Sequence, residues 1–324
     1  MNKIVVTGGS GFIGHNLIKS LVSDGYELLN IDTQKPPEFI SDKVLWKPIN
    51  ILEQDKLSKA IVDYDPQIII HLAARTDLDG KQLVDYDSNI SGTQNIIDIA
   101  KKIKNLKKVI FTSSMYVCKP GEIPSDYKTY TPHTVYGESK VKGELLVREI
   151  KNSHFEWVII RPTSIWGPWF NIPYIDFFKT VYEGRYFDFG KACTKTYGYV
   201  GNTVYQIKKI IDTPNISGST YYLGDLPATN ISEWASEISI LMNKGKIKTV
   251  PFFMLKAAAY VGDVFKLIKL KFPITSFRLS NMMTDNVLPI KDIYEIADSP
   301  PYSRTDGIEE TLVWLEKQKG YRYK

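Results

Sequence analysis

The sequence predicts an α/β protein: a doubly wound parallel sheet with a smaller, mostly helical C-terminal substrate lobe. Two observations predict it. The first half alternates short β-branched runs with helical patterns, and parallel strands need such crossover helices on both faces of a sheet. A glycine-rich turn, Gly8-Gly9-Ser10-Gly11-Phe12-Ile13-Gly14, directly follows the first apolar run, Lys3-Ile4-Val5-Val6-Thr7. After about residue 165 the alternation loosens, which is why a separate lobe is expected there.

The elements follow in order. Ile4–Thr7 reads as the first strand and Phe12–Ser23 as the helix leaving the glycine turn. Glu27–Ile31 is a strand that ends at Asp32, and Gln54–Val62 is the next helix. Asp65-Pro66 ends that helix and opens the strand Ile68–Leu72. A helix at Tyr86–Lys102 leads to the strand Lys108–Thr112, then a helix at Tyr136–Lys151 leads to the strand Trp157–Arg161. Beyond them prolines and aromatics thicken, and helices at Ile231–Met242 and Asp306–Gln318 lack regular strands between them. The expected division is 1–165, a dinucleotide-binding domain, and 166–324, a substrate lobe, with Thr220–Leu223 returning as a strand to the main sheet.

Composition narrows the function classes. At 324 residues, 43% hydrophobic and 24% charged, the chain has ordinary globular proportions. The net charge of +5 comes without a run of five like charges, so a nucleic-acid partner is not expected. Cys118 and Cys193 are isolated, which indicates neither a disulfide framework nor a metal site. With a strand beginning within three residues, no leader peptide is expected and the cytoplasm is the default location. The apolar stretch Phe252–Phe272 is interrupted by Lys256, Asp263, Lys266, Lys269 and Lys271. An integral membrane segment wants about 20 nearly uncharged residues, so the stretch reads as a lobe helix, with contact at a membrane surface as the alternative.

The glycine turn proposes a dinucleotide site. Gly8 lets the chain turn, Gly11 lets backbone approach a pyrophosphate, and Gly14 lets helix and strand pack closely. The pyrophosphate would rest on the amides of the helix N-terminus beside Phe12 and Ile13. Asp32 can accept the adenosine ribose hydroxyls and would repel a 2′-phosphate, so NAD is expected rather than NADP, although Lys35 lies near. Asn50 and Ile51 are placed to meet the adenine, and Leu72, Ala73 and Ala74 to let the cofactor pass over their strand end. His71 reads as a packed or hydrogen-bonded strand-end residue.

Tyr136 and Lys140 are four apart and share one helix face. A free tyrosine titrates near 10, too high for proton exchange at neutral pH. The Lys140 ammonium and the positive nicotinamide of oxidised cofactor are expected to stabilise the phenolate. Lys140 can also hold the nicotinamide ribose, and Asn89 can steady the lysine through water. Ser114, with Ser113 as the alternative, is placed to orient a substrate oxygen. The aromatics Trp166, Trp169, Phe170 and Tyr174 fit either a stacking surface for a base or sugar or a hydrophobic lid or core.

With these motifs in order, the chain resembles the extended short-chain dehydrogenase/reductase family, in its NAD-dependent nucleotide-sugar epimerase and dehydratase branch. The matching pieces are Thr7–Gly14, Asp32, His71–Ala74, Asn89, Ser113-Ser114, Tyr136-Gly137-Glu138-Ser139-Lys140 and Arg161–Pro168. The resemblance implies a Rossmann-type sheet, tightly held NAD and a homodimer built from two helices of each subunit. Dehydratases of this branch carry an Asp-Glu pair after the catalytic hydroxyl, where this chain has Met115-Tyr116. Ser164 stands where the family often has an asparagine near the nucleotide diphosphate, and Lys195 where an arginine grips it. Lysine lacks the bidentate fork. Arg278 is a further phosphate candidate. The expected reaction is C4 epimerisation of a nucleotide-linked hexose through a transient 4-keto intermediate. The rivals are a 4-keto-6-deoxy nucleotide-sugar reductase, a hydroxysteroid-type alcohol dehydrogenase and an NAD-sensing binding module.

Overall fold

A computed structural model describes residues 3–37, 42–188, 190–267, 279 and 283–320. Six strands from the first half, β1 (Lys3–Thr7), β2 (Glu27–Ile31), β3 (Val44–Lys47), β4 (Ile68–His71), β5 (Lys108–Thr112) and β6 (Glu156–Pro162), form a parallel sheet with the strand Thr220–Leu223. Their order is Thr220–Leu223, β6, β5, β4, β1, β2, β3. The order reverses between β1 and β4, so a crevice opens beyond their C-terminal ends, where open α/β sheets bind ligands. The register Thr7↔His71 sets the glycine turn beside the Leu72–Ala74 segment.

Burial on both faces explains the unbroken apolar runs. Ile4, Val6, Ile68, Ile70, Val158 and Ile160 belong to one core; Val5, Leu29, Ile69, Val109 and Ile159 belong to the other. Helices cover both faces: α1 (Phe12–Ser23), α2 (Gln54–Tyr64), α3 (Asp87–Ala100) and α4 (Val135–Arg148). The expected helices and strands differ from these by a few residues at their ends, where helices fray.

Several elements lie outside the expected ranges, and two of them bear on the sheet. Val44–Lys47 is an edge strand whose residues alternate between half-buried and exposed, too short to stand out. The helix Val200–Asp212 begins directly after a strand without a side-chain cap, so no start signal marks it. It nonetheless buries Val204, Ile207, Ile210 and Ile211 against the sheet's first core. Lys108, at the start of β5, donates to the Ile210 and Ile211 carbonyls at 2.8 and 3.3 Å, closing this helix's C-terminus.

A third core, beside the two on the sheet, is rich in aromatics. Trp166 and Phe170 are buried with Phe178, Tyr197 and Trp234, and Tyr174 packs against them, so Trp166, Phe170 and Tyr174 belong to a core, whereas Trp169 is half-buried outside it against His15 and Trp314. Short strand pairs, Ser164–Trp166 with Tyr197–Tyr199 and Thr194–Lys195 with Thr229–Asn230, replace the regular strands missing from the sequence pattern. Phe12 and Ile13 pack against this core, which ties the glycine-turn helix to it. Among the described residues no helix is long and apolar enough to cross a membrane. Of the apolar stretch Phe252–Phe272, Phe252–Leu267 is a helix, and 268–272 lie outside the described residues.

One buried network joins α4 to the sheet edge. Glu144 accepts from Arg161 Nε and Nη2, both at 2.8 Å, and both side chains are fully buried. Arg161 also donates to the Tyr222 hydroxyl at 3.0 Å and Arg148 to the Thr220 hydroxyl at 2.9 Å. Burial pushes the Glu144 carboxyl up, but the Arg161 guanidinium and its neighbours outweigh it and hold the group below the usual carboxylate range. Removing one partner strands a buried charge. Arg161→Met is therefore expected to cost about 3–5 kcal/mol in urea unfolding, and a loss below about 1 kcal/mol would contradict this role.

Candidate active site

The glycine turn is shaped by three different demands. Gly8 has φ +73, and a Cβ there would sit 2.6 Å from the Ala73 amide nitrogen, on the neighbouring β4 end. A Cβ on Gly14 would collide with the Gly8 carbonyl oxygen and with Gly9. Those two glycines are required by the fold itself. Gly11 is different: it is exposed, and its Cβ would meet only the Gly8 oxygen, at 3.3 Å. The bare backbone at Gly11 is an open cradle, and it is the N-cap of α1 with no side-chain cap and no acidic residue in the first turn. Unopposed amides with their dipole suit an anion, so the residues present fit the pyrophosphate of a dinucleotide.

Asp32 is half-buried at the end of β2. Ser10 N–H donates to its Oδ2 at 3.0 Å and Gln34 N–H to its Oδ1 at 2.8 Å, which fixes the carboxylate against the turn. A carboxylate has further acceptor positions, so ribose hydroxyls can still be received. Lys35 is exposed beyond it. Asn50 is also exposed, its Oδ1 accepting from Leu52 N–H at 3.0 Å, while Ile51 is buried against Gly92 of α3. Leu72, Ala73 and Ala74 are half-buried at the crevice, and Ala73 N–H donates to the Thr7 hydroxyl at 3.3 Å. His71 lies 2.8 Å from that hydroxyl through Nδ1 and 3.4 Å from Thr93 Oγ1 through Nε2. Burial, and then the Lys140 charge, push its imidazole down to about 3, so it is neutral and structural.

Tyr136, Lys140 and Ser114 come together where β5 ends against α4. Thr134 caps that helix, accepting from Gly137 N–H at 3.0 Å. Burial pushes the Tyr136 phenol up to about 12, with a hydrogen bond from Ser114 acting the other way and Tyr116 and Tyr86 adding to the rise. Lys140 is not among the groups that act on the phenol. Its Nζ donates to the Thr112 carbonyl at 3.0 Å instead. Burial draws Lys140 down to about 8, and the Glu144 carboxylate one turn below holds it up against that fall.

Asn89 does not reach Lys140 directly. Its Nδ2 donates to the Arg75 carbonyl at 3.0 Å and the Ser139 hydroxyl at 2.9 Å, and its Oδ1 accepts from Arg75 N–H at 2.8 Å. Below Lys140 lies a polar void of about 10 Å³, lined among others by Asn89, Thr112, Ser113 and Glu144. One water fits such a space. Ser164 is buried beside Met115, its hydroxyl 4.0 Å from the thioether sulfur. Lys195 is half-buried on the strand paired with Thr229–Asn230, and Arg278 lies outside the described residues.

The sequence reading missed the ring around the phenol. Tyr116 lies 5.9 Å and Tyr86 6.0 Å from Tyr136, and His133 stacks on Tyr116 at 5.7 Å. The signal was the departure at Met115-Tyr116, which marked an aromatic where a carboxylate was the alternative. Among the described residues no group of three or more His, Cys, Asp or Glu is arranged to hold a metal ion.

The three glycine roles separate experimentally. Gly14→Ala is expected to lower unfolding stability by about 1–3 kcal/mol through overpacking. Gly11→Ala is expected to stay within about 1 kcal/mol of wild type and yet lose most of its bound NAD, read by absorbance after denaturation. Full NAD retention in Gly11→Ala would contradict the cradle.

Residues 4–180 match the family model for the NAD dependent epimerase/dehydratase family. The chain is 26% identical to N-acetyl-alpha-D-glucosaminyl-diphospho-ditrans,octacis-undecaprenol 4-epimerase of Escherichia coli O157:H7, over 96% of this chain and 94% of that one. It is 26% identical to a UDP-glucose 4-epimerase of Vibrio cholerae, over 95% and 94%. It is also 26% identical to a Vaccinia virus 3 beta-hydroxysteroid dehydrogenase/Delta 5-->4-isomerase, over 97% and 99%. The crystal structure of UDP-glucuronic acid 4-epimerase from Bacillus cereus with NAD shares the fold at a TM-score of 0.74 and 22% identity, covering 99% of this chain and 98% of that one. The chain belongs to the NAD dependent epimerase/dehydratase family and is an NAD-dependent enzyme.

Proposed function

We propose that this protein epimerises C4 of a nucleotide-linked hexose, with Tyr136, Lys140 and Ser114 as its catalytic residues. The carrying observation is a phenol and a hydroxyl buried together at a sheet end next to the dinucleotide crevice. Bound NAD supplies a hydride acceptor and then a hydride donor at the sugar carbon. Ser114 orients the C4 oxygen, and Tyr136 takes its proton and later returns it to the same oxygen, so the net change is an isomerisation. The buried phenol rests at about 12 and therefore holds its proton until positive charge arrives beside it. Lys140 would anchor the nicotinamide ribose. Ser164 and Lys195 are assigned to the substrate's diphosphate side. The Met115-Tyr116 pair offers no carboxylate for eliminating water, which favours epimerisation over dehydration. A homodimer in the cytoplasm is part of the same reading, by resemblance to the family.

A second reading keeps the chemistry and changes the carrier to a polyprenyl diphosphate. The Escherichia coli relative, whose substrate is a diphospho-undecaprenol sugar, supports it. So do Ser164 and Lys195, which stand in place of the family's asparagine and arginine near the nucleotide diphosphate.

The test is product analysis by NMR after incubating the enzyme, without added NAD, with UDP-hexoses and with a polyprenyl-diphosphate N-acetylhexosamine. A C4 epimer from either supports the chemistry and identifies the carrier; a need for added reduced cofactor, or oxidation of a steroid alcohol instead, overturns it. Tyr136→Phe is expected to lower kcat by about 10²–10⁴-fold with NAD content unchanged. Because Lys140 sheds its proton near 8, kcat/KM is expected to fall as pH rises through that value. A flat profile to pH 10 would remove the lysine's charge from the mechanism.

A further inference from the structure

The helix Phe252–Leu267 is apolar on two sides, and among the described residues only one of them is covered. Leu255 and Ala259 are buried and pack with Phe252, Leu279 and Met283. On another face Phe253 is 71% exposed, Met254 52%, Tyr260 68% and Val261 47%, with Ala257 exposed between them. Positions 253, 254, 257, 260 and 261 follow the spacing of one helical stripe, about 120° of the circumference. A face of this kind left to water costs free energy unless something covers it.

Charge says what covers it. Residues 238–284 contain eight lysines and arginines and a single acid, Asp263, a surplus of seven against the chain's net +5, so the remainder of the chain is at −2. The protein's positive charge is therefore concentrated in the sequence around this stripe. Lys244, Lys246 and Lys248 are exposed just before the helix and Lys256 is exposed on its flank. A cleft of about 320 Å³ opens beside the stripe between the helix and Met283, with Lys191 and Lys256 at its wall. Both ammoniums sit over the Phe252 ring, at 5.4 and 5.3 Å.

We propose that the Phe253–Val261 stripe and its lysines dock this enzyme on an anionic lipid surface. Aromatic and aliphatic side chains would enter the boundary between headgroups and acyl chains while the flanking lysines meet anionic headgroups, without any segment crossing the bilayer. The docking helix is tied to the active site through a short path. Thr284, which lines the same cleft as the helix, and Asp285 hold the strand that carries Lys195: Cys193 donates to the Thr284 carbonyl at 3.5 Å and Thr194 N–H to Asp285 Oδ1 at 2.7 Å. Asn286 then donates to the Met115 sulfur at 3.9 Å, next to Ser114. The lipid surface would thus lie on the Lys195 side of the catalytic groups, the side assigned to the diphosphate. Docking stands apart from the reaction proposed above, because its test reads binding and not turnover.

The test is flotation of the full-length protein with phosphatidylcholine vesicles, with and without about one-third phosphatidylglycerol. Binding is expected only to the anionic vesicles, and it is expected to weaken at least about tenfold between ~0.1 and ~0.5 M salt. Phe253→Glu with Tyr260→Glu is expected to abolish binding with an unchanged circular dichroism spectrum and melting temperature, since both side chains are exposed. Lys246→Glu with Lys248→Glu is expected to weaken it. No flotation of the wild type, equal flotation with neutral vesicles, or full binding by the Phe253→Glu/Tyr260→Glu protein overturns the proposal. So does a change of oligomeric state in that variant without vesicle binding by the wild type, which would make the stripe a contact between copies of the chain.

Discussion

The buried pair of Glu144 and Arg161 is the interaction on which the arrangement of the site depends. Tyr136, Lys140, Glu144 and Arg148 fall four apart on α4, so one helix face carries a phenol, an ammonium, a carboxylate and a guanidinium in sequence. Arg161 comes from β6 and locks the carboxylate with two bonds, which fixes the rotation of the helix against the sheet. That rotation aims the phenol and the ammonium at the end of β5. The same carboxylate acts on Lys140 as the main force opposing burial. Geometry and charge at the site therefore have a common source, two turns below the chemistry.

The environment of the phenol also assigns a task to the cofactor. A buried tyrosine at about 12 is a poor base at neutral pH. Lys140, engaged with the Thr112 carbonyl, does not relieve this by itself. A phenol that responds to charge beside it suits a reaction in which one oxygen must first lose a proton and then regain it, because the group needs opposite strengths at the two moments. Glu144 and His71 frame this response: one is held ionised and the other is held neutral.

Much of this was legible in the sequence, and the reasons are physical. The glycine turn, Asp32 and the Tyr136/Lys140 pair are local patterns whose spacing alone places them at a strand end or on one helix face. The strand Thr220–Leu223 could be read from its aromatic and β-branched residues, and it does pair with β6. What stayed hidden depends on partners far apart in sequence. Arg161 and Glu144 meet only once β6 lies beside α4, and Lys140 finds Thr112 only through the β5 end. The aromatics Trp166, Phe170 and Tyr174 were ambiguous because stacking surfaces and cores use the same residues; Trp234 and Phe178, brought from elsewhere, decide for core. The lysines around the Phe252 helix looked scattered along the chain, and their concentration matters only beside an exposed apolar face.

The account's central claim is that a single active site removes and restores hydrogen at one sugar carbon without exchanging it. The most direct measurement uses substrate carrying deuterium at C4, turned over to equilibrium in ordinary water and analysed by mass spectrometry and NMR. The account predicts that both epimers keep the label at C4, with none lost to solvent. Washout of deuterium into water, or its transfer to unlabelled substrate added alongside, would contradict it.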